Sequence, residues 1–264
     1  VNAIIPAAPL SEVECLVRAA VQRGCTTVKV KVASADAGND AQRVALVRSV
    51  LDANLGDGVG RIRLDANAGW TLEQARELLP RLIHAAREVE YVEQPCAALE
   101  DCADIRSIGL VPVAIDEGLR LSSNLDDEVL WSRLREAADV LIVKPIPLGG
   151  TAQVLAVARR FAGPVVVSSS LDSSIGLMYS VRAAAALPEL PLACGLGTGA
   201  LLADDLVADT VVPHDGTIVV RDIAPDPQLL SQHRIGVDDP RHDYWQRRLN
   251  EAAAQLTGFG SVEL

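Results

Sequence analysis

The feature that most constrains this chain is a rhythm. Short runs rich in β-branched residues recur at Ala3–Pro6, Thr26–Val32, Arg61–Asp65, Glu90–Glu93, Val111–Asp116, Val140–Lys144, Pro164–Ser168 and Leu192–Leu196. Between them lie Ala/Leu/Arg-rich stretches with helical periodicity, among them roughly 40–54, 98–107, 126–137, 150–161 and 174–186. Ser11-x-x-Glu14 reads as a capping box for a helix that Gly24 stops, and Thr71-x-x-Gln74 opens another. The strand runs are continuously apolar, as strands buried on both faces must be. Eight strands, each followed by one helix, in 264 residues predict an α/β fold of the TIM type, a (β/α)7β barrel. A doubly wound open sheet is the competing architecture. It wants a Gly-rich turn after the first strand, and Pro6-Ala-Ala-Pro9 offers none.

After the eighth run the pattern changes. Thr210–Pro213 and Thr217–Arg221, joined through Asp215-Gly216, predict a β-hairpin, and Arg241–Gln255 predicts a terminal helix. The expected division is a barrel domain at 1–209 and an extension at 210–264.

Composition narrows the function. A hydrophobic share of 49% with 22% charged residues excludes a disordered chain. A formal charge of −11 repels nucleic acid and anionic lipid, so neither is an expected partner, and 3% aromatic residues argue against a base-stacking surface. No apolar run approaches the ~20 residues of a membrane span. No secretory leader is read at the start. Five cysteines, at 15, 25, 96, 102 and 194, form no CxxC and read as reduced cytoplasmic thiols. The chain opens at Val1 rather than Met, almost directly on an apolar run, and is expected to be part of a longer product.

Barrel active sites are built at the C-terminal ends of the strands. The second run ends Lys29-Val30-Lys31, the third Asp65-Ala66-Asn67, the fourth Glu93-Gln94-Pro95, the fifth Asp116-Glu117 and the sixth Lys144-Pro145. A lone Lys-x-Lys is ordinarily a solvated face, and a lone strand-end acid a cap or salt-bridge partner. An ordered set across five consecutive strand ends is a different matter. The three carboxylates, one βα unit apart, would converge and repel unless a cation lay between them. All-oxygen donors without His or Cys favour Mg2+, with Mn2+ as its substitute. Lys29 and Lys31, two apart on a strand, share one face, and Lys144 comes from the other flank. Amines on both sides of a metal-bound carboxylate suit proton abstraction α to a carboxylate.

The Ser168, Ser169 and Ser170 hydroxyls and the Gly195-Leu-Gly-Thr-Gly199 turn, with Gly195 and Gly197, fit a second anion, a substrate carboxylate or a phosphate; such a turn also serves simply to close a barrel. Asn67 and Gln94 are placed behind the main site, Glu117 is placed there or as a salt-bridge partner, and Asp172 is read as the cap of the helix at 173–186. Trp70 either closes the mouth or packs. His84, His214, His233 and His242 lie on expected helices or loops, which leaves no histidine base at the mouth.

Lys29-Val-Lys31, Asp65-Ala-Asn-Ala-Gly-Trp70, Tyr91-Val-Glu-Gln-Pro95, Asp116-Glu117 and Lys144-Pro145 resemble the enolase superfamily, muconate-lactonizing subgroup. The runs Val165–Gly176 and Ala193–Thr198 are similar to its actinobacterial dehydratase branch, which forms an aromatic succinyl-bearing acid for menaquinone synthesis. The resemblance runs from about residue 2 to 225. It implies Asp65, Glu93 and Asp116 as Mg2+ ligands, Lys31 as the base that then returns a proton to the departing hydroxide, Lys29 as its modulator, and Lys144 as the cation that stabilises the enediolate. It also implies a small carboxylate substrate carrying a succinyl arm. N-succinylamino acid racemisation on the same residues stays open, as does a metal-binding fragment without turnover. A Schiff-base aldolase barrel is disfavoured by the three carboxylates. The superfamily's N-terminal capping domain is largely absent from this sequence.

Overall fold

The computed structural model describes residues 1–34, 37–122 and 124–254. The elements run β1 Asn2–Ile5, α1 Leu10–Gln22, β2 Thr27–Lys31, α2 Ala37–Leu55, β3 Arg61–Asp65, α3 Leu72–Ala86, β4 Val92–Glu93, α4 Leu99–Ile108, β5 Val113–Ile115, α5 Glu117–Arg120, α6 Glu128–Ala137, β6 Val140–Val143, α7 Pro145–Leu148, α8 Thr151–Phe161, β7 Val165–Val167 and α9 Ser174–Ala185. A 3-10 turn at Gly197–Leu201, α10 at Pro227–Gln232 and α11 at Pro240–Ala254 follow.

All seven strands are parallel and lie in chain order, β1 to β7, which excludes the doubly wound sheet. The eighth run closes the ring without forming a regular strand. The Asn2 N–H donates to Cys194 O at 2.9 Å on one side, and the Gly195 N–H donates to Val167 O at 2.8 Å on the other. Only the Ser168–Gly195 pair forms a bridge. Pro191, which has no N–H, and the turn beginning at Gly197 confine this segment to a few paired residues.

Two apolar clusters result from the alternation of side chains along each strand. Val28, Val30, Ile62, Leu64 and Val167 point outward and meet Val13, Val17, Val44, Leu51 and Leu79 of the helices in one continuous core. Inside the ring a small cluster of Tyr91, Ala114, Val140, Ile142 and Val166 stands apart. Its apolar residues come from β5, β6, β7 and the residue before β4. The facing part of the interior carries Lys29, Arg63, Asp65 and Glu93, all buried.

The local signals succeed in part. Thr71 and Gln74 form the expected capping box at α3, with the Gln74 N–H donating to the Thr71 hydroxyl and the Thr71 N–H donating to the Gln74 carboxamide. Ser11 does not cap: α1 starts one residue earlier, after Pro9, whose fixed φ of −55° leads directly into the helix. Asp172 does not cap α9 either. It accepts from the Ser170 N–H, while the Ser174 N–H and hydroxyl at the start of α9 donate to Asp205. The predicted hairpin reduces to a tight turn with one antiparallel bridge, His214–Thr217. Asp215 and Gly216 take the positive φ values such a turn needs. Its flanks have no common face to bury, since Val211 enters the core whereas Val219 and Val220 are exposed. Ile218 and Ile223 pack on the main core and Arg182 binds the Arg221 carbonyl and Asp222, so residues 211–223 lie against the barrel. The terminal helix is present as α11; Gln255 lies outside the described residues. No helix among the described residues is long and apolar enough to cross a membrane.

Gly24 terminates α1 as expected, with φ of +80°. A Cβ there would lie 2.4 Å from the Asp215 carbonyl carbon of the 214–217 turn. Gly24→Ala is therefore expected to destabilise the protein by more than about 1 kcal/mol, since left-handed strain and a backbone clash add. Urea denaturation measures this, and a loss near zero would mean the turn is not seated on Gly24.

Candidate active site

Register and period place the chemistry. Lys31, Asp65 and Glu93 are the last residues of β2, β3 and β4, while Asp116 and Lys144 directly follow β5 and β6. Lys31 pairs with Asp65 across the ladder, and Asp65 with Glu93. All five side chains thus stand at one end of the ring. β2 and β6 are four steps apart in an eightfold ring, so Lys31 and Lys144 face each other across it.

The side chains form a buried ionic network. Lys29 Nζ donates to both Glu93 oxygens, at 2.7 and 2.9 Å, and lies 2.8 Å from Asp65 Oδ2. Lys31 Nζ donates to Asp65 Oδ2 and to Asn67 Oδ1, each at 2.6 Å. Lys144 Nζ donates to Asp116 Oδ2. The three carboxylates are at most 1% exposed, whereas the Lys31 side chain is 29% exposed and that of Lys144 17%.

Burial and charge compete here. Burial pushes the Glu93 carboxyl up, Lys29 pulls it down, and Asp65 and Asp116 push it up again, which leaves it at about 7. Burial also works against ionised Asp65, but Lys29 and Lys31 outweigh it and hold the carboxyl below its ordinary value. For Lys29, Glu93 and Asp65 outweigh the cost of burial and hold the ammonium above the usual lysine range.

The donor set suits a hard divalent cation: three oxygen ligands from adjacent strands and no nitrogen or sulfur. As the side chains stand, the lysine ammoniums take up those oxygens, and no three His, Cys, Asp or Glu among the described residues close around one point. One atom is left over. Asp116 Oδ1 is buried and has no hydrogen-bond partner, with Arg120 Nε 3.5 Å away. A buried carboxylate oxygen without a donor is the kind of atom that a cation would satisfy.

Behind these groups the strand ends are braced. Gln94 is fully buried at φ of +39°. Its Oε1 accepts the Asp116 and Gly118 N–H groups at 3.2 and 3.0 Å, and its Nε2 donates to Cys96 O, so it fixes the end of β5 relative to β4. The Asn67 carboxamide donates to Glu117 at 3.2 Å. Arg43, held by Asp40, donates to the Lys31 carbonyl. Trp70 is buried in the main core, so of its two expected roles the structure gives it packing.

The serine and glycine candidates lie at the closure of the ring. Ser168 Oγ is 3.3 Å from Gly195 O, and the Ser169 and Thr198 hydroxyls are 2.6 Å apart. The Gly195 N–H is used by Val167 O. A Cβ on Gly195 would meet Ser168 Oγ at 2.6 Å, and one on Gly197 would meet Asn2 O at 2.7 Å. Both glycines therefore have a packing reason for being small. The four histidines sit on α3, in the 214–217 turn, after α10 and on α11, away from the strand ends.

Sequence reasoning missed two features. Arg63 lies fully buried inside the ring, bonded to Asn2, Glu90 and the Ala193 carbonyl and stacked 4.6 Å from the Tyr91 ring centre. The alternation Arg61-x-Arg63-x-Asp65 already turned it inward with Asp65. Moreover, Lys29, Lys31 and Lys144 are the only lysines among the 24 Lys and Arg residues of the chain.

A barrel of this order with acids and amines at these strand ends defines an enolase-type enzyme. The family described as "Enolase C-terminal domain-like" matches residues 12–225, and the chain belongs to it. It is 41% identical over 256 residues to the o-succinylbenzoate synthase of Thermobifida fusca, covering 96% of this chain and 75% of that protein. It is 41% identical over 252 residues to that of Mycolicibacterium smegmatis, covering 94% and 73%. Among solved structures, a mandelate racemase/muconate lactonizing enzyme from Roseiflexus sp. superposes with a TM-score of 0.71 at 25% identity, over 83% of this chain and 61% of that one. Muconate cycloisomerase from Pseudomonas fluorescens shares the fold, with a TM-score of 0.75 at 19% identity over 89% and 65%. The chain thus spans less than two thirds of the length of either solved chain.

Because Glu93 is raised from 4.5 to about 7, its protonated form favours the folded state of the metal-free protein. That contribution is complete below pH 4.5 and is lost as pH rises through 7. Metal-free protein is expected to lose stability relative to Glu93→Gln between pH 5 and pH 8 in urea titrations. A difference of opposite sign would mean that Lys29 outweighs burial.

Proposed function

We propose that this chain carries the chemistry of an o-succinylbenzoate synthase: syn dehydration of a succinyl-bearing hydroxycyclohexadiene carboxylate to o-succinylbenzoate, in menaquinone synthesis in the cytoplasm. Two observations support the reading together, namely relatives of that name at 41% identity over most of the chain and Lys31 set opposite Lys144 over three buried carboxylates. The observation that carries it is the Lys31 amine, partly exposed at the mouth and held by Asp65 and Asn67.

Asp65, Glu93 and Asp116 would hold Mg2+, with Mn2+ as substitute, once their lysine partners turn away. The bound cation supplies positive charge against the carboxylate as it gains enediolate character. The chain's own residues do the rest. Lys31 Nζ takes the α-proton, then returns it to the β-hydroxyl as that leaves on the same face, so one amine serves as base and acid. Lys144 keeps its proton and opposes the growing negative charge from the far side. Lys29, paired with Glu93 and Asp65 in the metal-free structure, would keep a positive charge beside Lys31 on the same strand. The loops carrying Ser168, Ser169, Gly195 and Gly197 would receive the succinyl arm. The partner is a small carboxylate; net charge −11 does not suit nucleic acid or an anionic membrane surface.

A second reading, N-succinylamino acid racemisation, is favoured by one feature: two amines on opposite sides of the ring form a two-base pair. Deuterium wash-in at the α-carbon of N-succinyl amino acids separates it from dehydration. Turnover absent both with and without Mg2+ would instead favour a chain that binds metal without catalysis.

Lys31→Ala is expected to lower Mg2+-dependent o-succinylbenzoate formation by at least about a thousandfold, as removal of an essential proton-transfer group does. Mg2+ affinity, followed by calorimetry, should survive. Retention of more than a few per cent of activity would remove Lys31 from the role of base.

A further inference from the structure

A neutral lysine amine has two N–H donors and one lone pair. In this metal-free structure two acceptors face the Lys31 nitrogen: Asp65 Oδ2 and Asn67 Oδ1, each 2.6 Å from Lys31 Nζ. With both N–H groups so engaged, the lone pair has only the remaining tetrahedral direction, and the aim of the amine is set by which end of the Asn67 carboxamide faces it. If the nitrogen end faced Lys31, donor would meet donor and the amine would swing.

The groups behind Asn67 decide that end. Its Nδ2 lies 3.2 Å from Glu117 Oε1. A carboxylate only accepts, so it draws the NH2 end and leaves Oδ1 for Lys31. Arg120 Nη2 stands 3.5 Å from the same Glu117 oxygen as an ion-pair partner. Glu117 Oε2 is buried without a hydrogen-bond partner, so apart from the ion pair with Arg120 the hydrogen bond to Asn67 is this side chain's polar contact. Asn67 itself is pinned at φ of +45° with its N–H on Asp65 Oδ1, so the amide can turn only about its side chain.

We infer that Glu117 is a positioning residue: acting through the Asn67 carboxamide, it selects the amide orientation that aims the Lys31 amine. The inference rests on Lys31 being the base, and it deepens that reading. Glu117 touches neither the substrate carboxylate nor the reacting carbon in this scheme.

The scarcity of lysine supplies the test. An amine-selective acylating reagent reports only on Lys29, Lys31, Lys144 and the N-terminus, each read separately by peptide mass spectrometry. In folded, metal-free protein, Glu117→Ala is expected to raise Lys31 acylation by roughly three- to tenfold, the effect of losing one hydrogen bond of ordinary strength. Lys29 and Lys144 should not change. Glu117→Gln, whose carbonyl accepts the same N–H, should stay near the parent rate. In turnover with Mg2+, Glu117→Ala should lower kcat by a similar factor with KM unchanged. Unaltered Lys31 acylation in Glu117→Ala overturns the inference. So does a Glu117→Gln variant that tracks Ala, because charge rather than orientation would then be the cause, and so does a rise confined to Lys144. The labelling needs no turnover. A parent protein inactive toward the dehydration substrate would therefore count against the proposed activity alone, whereas the acylation pattern judges Glu117.

Discussion

The structure depends on charge compensation in a place that has little room for charge. Asp65, Glu93 and Asp116 are each at most 1% exposed, and leaving any one of them unpaired would cost several kcal/mol. Three lysines meet them one strand end after another. Sequence alternation makes this possible. On β2 and β3 every second residue points inward, so Lys29 and Lys31 meet Arg63 and Asp65 in register while Val28, Val30, Ile62 and Leu64 seal the outside against the helices. A shift of one residue would put the valines in the ring and the lysines in the apolar core, and neither could be satisfied. The buried ionic network therefore helps specify the register of the sheet as well as its chemistry.

Such a network needs backbone that holds its ends still. Non-glycine residues with positive φ cluster at the mouth, at Ala33, Asn67, Ala68 and Gln94, each just beyond the end of β2, β3 or β4. Each such conformation costs on the order of 1 kcal/mol or more and persists only where neighbours enforce it. Here they do: Gln94 binds three backbone groups across β4 and β5, and Asn67 is held through both its N–H and its carboxamide. The positive φ values fall just after Lys31, Asp65 and Glu93 and turn the chain there, at the ends of β2, β3 and β4.

Much of this was legible in the sequence, for reasons that differ by level. The ring was readable because continuous β-branched runs separated by helix-length stretches leave few other packings. The strand-end acids and amines were readable because a barrel puts its site where strands stop, and Lys31, Asp65 and Glu93 are indeed terminal residues. The eighth strand, the hairpin and the caps at Ser11 and Asp172 were not, because each depends on a partner distant in sequence. Asp205 takes the role expected of Asp172 from 31 residues beyond the N–H group it caps. Val219 and Val220 look like strand residues, but among the described residues no strand pairs with them. The amide orientation of Asn67 is also invisible in sequence, since it is set by Glu117, fifty positions away.

The distribution of cations between lysine and arginine carries the same logic further. Three of the 24 Lys and Arg residues are lysine, and all three stand at the mouth of the ring. In register with Lys29, the interior position on β3 is Arg63. Arginine keeps its charge at any working pH and offers a rigid planar fork, which suits a strut joining Asn2, Glu90 and the Ala193 carbonyl across the closure of the ring. Lysine can give up its proton and can reach along a flexible stem, which suits the proton transfer proposed for Lys31. The interior thus uses arginine where the closure of the ring is held, and lysine at the strand ends, where the proposed chemistry asks one of the three, Lys31, to move a proton.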